Sequence, residues 1–163
     1  MAKAIAERLK LRYIEMDRLS WRPNWTMTPD DELRQLVDAA TRGEGWVLDG
    51  NYSQMRDLVW LRANTIVWLD YSFPRVFGRL LWRTIRRVVT REELWGGCRE
   101  RFFTSFFSRN SILLWCLQTY WRRKREYPEL LVRPEYAHLQ WIRFRHPCDT
   151  SMWLTSIPER RER

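Results

Sequence analysis

Asp49 closes the run Gly45-Trp46-Val47-Leu48-Asp49-Gly50-Asn51-Tyr52, which reads as a short buried strand ending in a carboxylate and a glycine turn. In open α/β sheets, ligands bind in the crevice beyond the carboxyl ends of the strands, so Asp49 stands where a metal ion or a phosphate is handled. An isolated Asp-Gly pair would read as a turn and nothing more. Glu15 and Asp17 form a second acidic feature, two residues apart at the end of Leu11 to Asp17. On a strand that spacing puts both on one face. Arg79, Arg83 and Arg87 have i, i+4, i+8 spacing, which projects three guanidinium groups from one helical face with few acidic residues near them. Such a stripe faces either solvent or an anion. Arg109 lies at the start of a later helix and can join the stripe, whereas Arg122 to Arg125 read equally well as a surface patch. Carboxylates for a metal or a nucleophile, with arginines over a transferred group, are the parts that phosphoryl transfer needs, because its catalysis is mainly positioning and charge neutralisation. Asp70 reads as a turn or cap residue. His138 and His146 show neither metal-ligand spacing nor a partner nucleophile, which leaves them structural roles.

The elements that must position these residues alternate between helix and strand patterns, the mark of an α/β domain with a mainly parallel sheet. Met1 to Leu9 is a strong helix former, Leu11 to Asp17 a short strand, and Thr28-Pro29-Asp30-Asp31 a helix start with Thr28 as cap, running to about Arg42. After the Asp49 strand come a short helix over 53–61 and the apolar run 64–70, a strand expected to be covered on both faces. Residues 72–89 form a long amphipathic helix, with Phe73, Val76, Phe77, Leu80, Leu81 and Val88 on one side. The segment 90–107 is hard to assign, although Phe102, Phe103, Phe106 and Phe107 demand burial. A second long helix is expected over 108–126, with Pro128 and Pro134 punctuating the chain beyond it. A last strand over 136–144 and a short helix over 149–154 close the domain. Trp82, Trp95, Trp115 and Trp121 read as packing residues rather than as platforms for bases.

At 163 residues the chain fits one domain, 1–163, with enough length to bury a core. Eleven tryptophans and 45% hydrophobic residues argue against disorder despite 30% charged residues. The net charge of +9 attracts phosphate-bearing partners, whether nucleotide, nucleic acid or anionic membrane surface. Cys98, Cys116 and Cys148 are widely spaced and lack C-x-x-C, so free thiols in a reducing cytoplasm are expected. No secretory apolar core follows Met1, and no apolar run approaches the ~18 residues of a membrane span.

Around Asp49, and at Glu15 and Asp17, the sequence resembles the adenylate-kinase-like P-loop kinases, in particular the small bacterial adenylate-kinase-related and DNA topology modulation (FlaR-type) proteins. The resemblance implies a three-layer α/β/α fold, a helical lid over 73–133, and ATP with Mg²⁺ as cofactors. It implies transfer of phosphate to a nucleotide or other small acceptor. Asp49 then serves the metal as an outer-shell partner or orients bound phosphate. Glu15 lies nearer the metal, Asp17 accepts the acceptor's proton or hydrogen-bonds it, and Arg79, Arg83, Arg87 and Arg109 belong to the lid. The alternative for the acidic pair is a loop cap at Asp17 and a solvated edge at Glu15. The family's G-x-x-x-x-G-K-[ST] is not in the sequence, and none of the six glycines precedes Gly-Lys-Ser/Thr. Met1 to Leu9 resembles the helix that such a loop feeds, so the chain is expected to open one element late, without the central strand and the nucleotide cradle. Poor ATP binding and little or no transfer follow from that expectation. A basic nucleic-acid-binding protein without catalysis is the other reading of the charge and the aromatics, although no helix-turn-helix, RRM or zinc pattern accompanies it.

Overall fold

The computed structural model describes residues 1–43, 45–98 and 111–159. Its parallel strands come in two pairs. Strand β1 (Arg12–Glu15) lies beside β4 (Trp46–Asp49), and β5 (Thr65–Leu69) lies beside β6 (Gln140–Phe144). No ladder of hydrogen bonds joins one pair to the other among the described residues. The remaining strands, β2 (Trp21–Arg22) and β3 (Thr26–Met27), make a small antiparallel pair around Pro23 and Asn24.

Seven α-helices accompany them among the described residues: α1 (Ala2–Leu9), α2 (Met16–Ser20), α3 (Asp30–Ala40), α4 (Arg56–Arg62), α5 (Phe73–Thr90), α6 (Ile112–Leu131) and α7 (Pro147–Ser156). Strand alternation sorts the helices onto two sides. On one side Trp68 of β5 stacks on Tyr127 of α6 at 5.0 Å, and Trp141 of β6 meets Trp60 of α4 edge-on at 5.3 Å. On the other, Phe144 of β6 packs on Trp153 of α7, and Arg8 of α1 donates to the Ile157 carbonyl just beyond α7. The chain is therefore mixed α/β, with helices on both faces of its parallel strands. Leu33 and Val37 of α3, fully buried, join Met16, Met55, Trp60, Tyr127, Leu130 and Tyr136 in the main core. The hydrophobic contacts of these side chains, together with edge-to-face aromatic pairs worth about 0.5–1.5 kcal/mol each, hold the two strand pairs on one cluster.

Several boundaries differ from the sequence expectation for local reasons. Thr28 does not cap α3: its hydroxyl donates to the Leu19 carbonyl and its N–H to the Ser20 carbonyl, so it ties the loop back to α2. Pro29 takes the cap position, with Asp30, Asp31 and Glu32 in the first turn. Helix α6 runs through Pro128, because Tyr127 and Leu130 on either side of it are held in the core while Pro128 itself faces solvent. The basic run 122–125 thus lies in mid-helix. Strand β5 is half-buried rather than covered, with Leu69 39% exposed, since it has one neighbouring strand instead of two. Trp82, Trp115 and Trp121 are 69%, 45% and 57% exposed, against the expectation that they pack inside. The four phenylalanines at 102, 103, 106 and 107 lie outside the described residues. All three cysteines are free, and no described helix is long and apolar enough to cross a membrane.

Candidate functional site

Parallel pairing in register brings Glu15 and Asp49 side by side as the last residues of β1 and β4. Both point to the face that Tyr13 shares, because residues two apart on a strand point the same way. The Tyr13 hydroxyl donates to Asp49 Oδ2 at 3.1 Å. Burial, reinforced by the negative charges of Asp49 and Glu15, pushes the Tyr13 phenol above its ordinary range and keeps it a donor at neutral pH. Asp49 is exposed and keeps its second oxygen available to solvent or a ligand.

Asp17 does not share that face. The strand ends at Glu15, and Met16 turns inward to start α2, so the two-residue alternation expected of the acidic pair stops short of Asp17. Burial of Met16, 1% exposed, and the bond from Ser20 Oγ to the Met16 carbonyl favour the helical turn. Asp17 instead accepts a 2.7 Å hydrogen bond from Tyr52, whose hydroxyl is held protonated chiefly by burial. That bond fixes the loop following Asp49 to α2. Gly50 completes the turn at φ 126°, where a Cβ would stand 2.7 Å from Met16 Cβ. The glycine is needed for close packing, and it forms no open cradle.

The arginines divide. Arg79 is exposed with its guanidinium 5.4 Å from the Tyr71 ring, and Arg83 is exposed in the middle of α5. Arg87 lies largely inside, over the Trp95 ring at 5.7 Å and 4.0 Å from Glu92, which also pairs with Arg86 at 3.3 Å. Glu92 corrects the expectation of a stripe with few acidic neighbours: the chain turns back after α5, through Arg91 in a left-handed conformation, and delivers a carboxylate to its last turn. Arg109 lies outside the described residues. Asp70 is more than a turn residue. It is 5% exposed and accepts from Arg143 Nε at 2.9 Å and Nη2 at 2.5 Å, with Lys124 at 3.4 Å. His138 Nε2 lies 3.1 Å from the Trp60 carbonyl, in the structural role expected of it.

Beside Asp49, residues Asn51 and Ser53 line a cleft of about 310 Å³ together with Arg56, Arg122, Arg123 and Glu126. Sequence reading missed Tyr13, Tyr52 and Arg56, and left Arg123 within a run that read equally well as a surface patch. The tyrosines were legible only as residues next to the acids, and the two arginines meet across 67 residues of chain with no local pattern to link them.

No group of three or more His, Cys, Asp or Glu residues placed to hold a metal occurs among the described residues. Glu15 and Asp49 are two adjacent carboxylates, a donor set suited to Mg²⁺ carried mainly by phosphate oxygens and water and unsuited to an ion caged by protein. No family model, curated protein or solved structure matches the chain.

Proposed function

We propose that this chain is a P-loop kinase-like domain that carries the acidic acceptor side of a phosphotransferase site, with no G-x-x-x-x-G-K-[ST] within these 163 residues. The observation that carries the reading is the in-register pair Glu15 and Asp49 at the carboxyl ends of two parallel strands. The division of the parallel strands into two pairs supports it as well, because the strand that the resemblance leaves out would lie between them. Glu15 and Asp49 would hold Mg²⁺ on a nucleotide phosphate; the ion, when bound, neutralises charge on the transferred group. Tyr13 holds Asp49 in place by its hydrogen bond. Asp17, engaged by Tyr52, keeps one carboxylate oxygen with which to orient an acceptor hydroxyl. Arg79 and Arg83, exposed on α5, are the lid arginines of this reading, while Arg87 braces the end of that helix against Glu92.

ATP finds no glycine cradle in this sequence, since G-x-x-x-x-G-K-[ST] is absent and Gly50 is packed against Met16. Isothermal titration of the 163-residue chain with Mg-ATP should therefore give no micromolar binding, and the nucleotide should not raise its melting temperature. Fusing a strand and a G-x-x-x-x-G-K-[ST] loop ahead of Met1 should restore ATP binding and transfer. In that fusion Asp49→Asn should lower transfer at least about tenfold with the fold intact. Micromolar Mg-ATP binding by the unfused chain, or a fusion that binds ATP and is indifferent to Asp49→Asn, would overturn the reading.

A further inference from the structure

The cleft beside Asn51 holds more positive charge than the protein around it neutralises. Arg56, Arg122 and Arg123 line it, and Glu126 is the one carboxylate among its lining residues. Arg56 reaches Glu126 Oε1 at 2.6 Å and lies over the Trp60 ring, yet its Nε is buried with no hydrogen-bond partner among the described residues. Arg123 is placed still more sparingly. Its guanidinium sits 4.5 Å from the Trp115 ring centre, and its Nη2 reaches the Asn51 carbonyl at 3.5 Å, the outer limit of a hydrogen bond. A guanidinium has five N–H donors, so most of those on Arg123 have no comparable contact among the described residues. Burial above all, with the neighbouring charges of Arg122 and Arg56 adding to it, pulls the Arg123 pKa below its ordinary value. Desolvated cations that repel one another are stabilised by an anion that accepts several of their hydrogen bonds at once.

We propose that this cleft is a binding site for a phosphomonoester dianion, gripped by Arg56, Arg122 and Arg123 with the Ser53 hydroxyl at its edge. Three guanidiniums against one carboxylate leave two positive charges, which match the two negative charges of a terminal phosphate. Planar guanidinium forks also fit phosphate oxygens in pairs. The volume of about 310 Å³ exceeds a phosphate group alone, so the cleft takes the phosphate together with part of the group that bears it. This site goes beyond the strand-end reading and stands on the cleft alone. Its test needs neither ATP nor phosphoryl transfer, so each idea fails separately.

The experiment is a titration of the full chain with inorganic phosphate, followed through the arginine Nε–Hε NMR signals. Saturable shifts of the Arg56 and Arg123 signals in the low millimolar range are expected. Arg122→Gln, at an exposed position that leaves the fold undisturbed, should weaken binding at least about fivefold, and Arg123→Lys, which keeps charge but loses the fork, by a similar factor. Arg133→Gln, remote and paired with Glu135, should leave it unchanged. Absence of shifts up to tens of millimolar phosphate would overturn the proposal. So would equal weakening by Arg133→Gln, which would reduce the effect to general charge. A short single-stranded oligonucleotide that binds through Arg122 far more tightly than phosphate would also overturn it and make the cleft part of a nucleic-acid surface.

Discussion

Gly50→Ala isolates the packing that sets the loop carrying Asp49 and Asn51. Two costs combine at this position. The first is the conformational cost of an L-residue at φ 126°, about 1–2 kcal/mol, partly offset by the ~0.4–1 kcal/mol that alanine gains by restricting the unfolded chain. The second is contact: the new methyl would stand 2.7 Å from Met16 Cβ and 3.2 Å from its Cγ, in a neighbour only 1% exposed. Met16 Cβ is fixed to its backbone, so relief requires α2 and the β4 turn to move apart, an overpacking cost of about 1–3 kcal/mol. Gly43→Ala is the internal control, because Gly43 also has a positive φ, of 93°, but nothing lies within 4 Å of its added Cβ. Urea unfolding should show a loss of about 1 kcal/mol for Gly43→Ala and about 3 kcal/mol for Gly50→Ala, with equal m values. The difference of about 2 kcal/mol corresponds to a further fall in melting temperature of about 4–8 °C for a chain of this size. Equal losses for the two variants would refute the close approach of the turn to α2, and with it the rigid placement of Asp49.

Two further expectations concern charged and polar anchors. Asp70→Asn should destabilise the chain by about 2 kcal/mol in urea unfolding, because it weakens two charge-assisted bonds from Arg143 at a carboxylate only 5% exposed. The figure stays below the cost of breaking a fully buried pair, since Arg143 and Lys124 are each more than a third exposed and regain water, and a loss under about 0.5 kcal/mol would show that the cluster adds nothing. Tyr52→Phe should cost about 1 kcal/mol at neutral pH through the lost bond to Asp17. Because the folded protein raises the Tyr52 pKa, the unfolded chain gives up this proton first as pH climbs past about 10, so stability falls from there upward. In Tyr52→Phe that alkaline decline should be shallower in melts taken from about pH 8 to 11, and an unchanged slope would contradict a protonated, buried Tyr52.

The elements with strong periodicity were legible in the sequence. Strands β4 and β5 and helix α5 lie within a residue or two of their expected bounds, because their apolar spacing is matched by what they pack against. Failures occurred where distant contacts decided the matter. Asp17 left its strand because Met16 is drawn into the core, and α6 passed Pro128 because Tyr127 and Leu130 are anchored around Trp60. The site shows the same division. Asp49 stood out through its strand and turn, and Glu15 joined it through parallel pairing. Glu92 closing on Arg87, and Arg123 reaching the Asn51 carbonyl across 72 residues, depend on how helices cross, which no local spacing encodes.

The separation of the parallel strands into two pairs also bears on how the molecule comes apart. In a continuous sheet, hydrogen-bond ladders transmit unfolding from strand to strand, whereas among the described residues of this chain the two ladders do not meet. Cooperativity must then pass through side chains, and the junction is the core around Met16, Val37, Met55, Trp60 and Tyr127, on which Trp46 and Leu48 of β4 and Ile66, Trp68 and Trp141 of the other pair all pack. Paired residues are 34 apart in the β1–β4 pair and 75 apart in the β5–β6 pair, so their loop-closure costs differ only modestly. Stability is therefore shared between two strand pairs that one core couples in place of a common ladder. The acidic pair belongs to one of them and Asp70 with its cations to the other, which makes the placement of one relative to the other a property of side-chain packing in the core rather than of backbone hydrogen bonds.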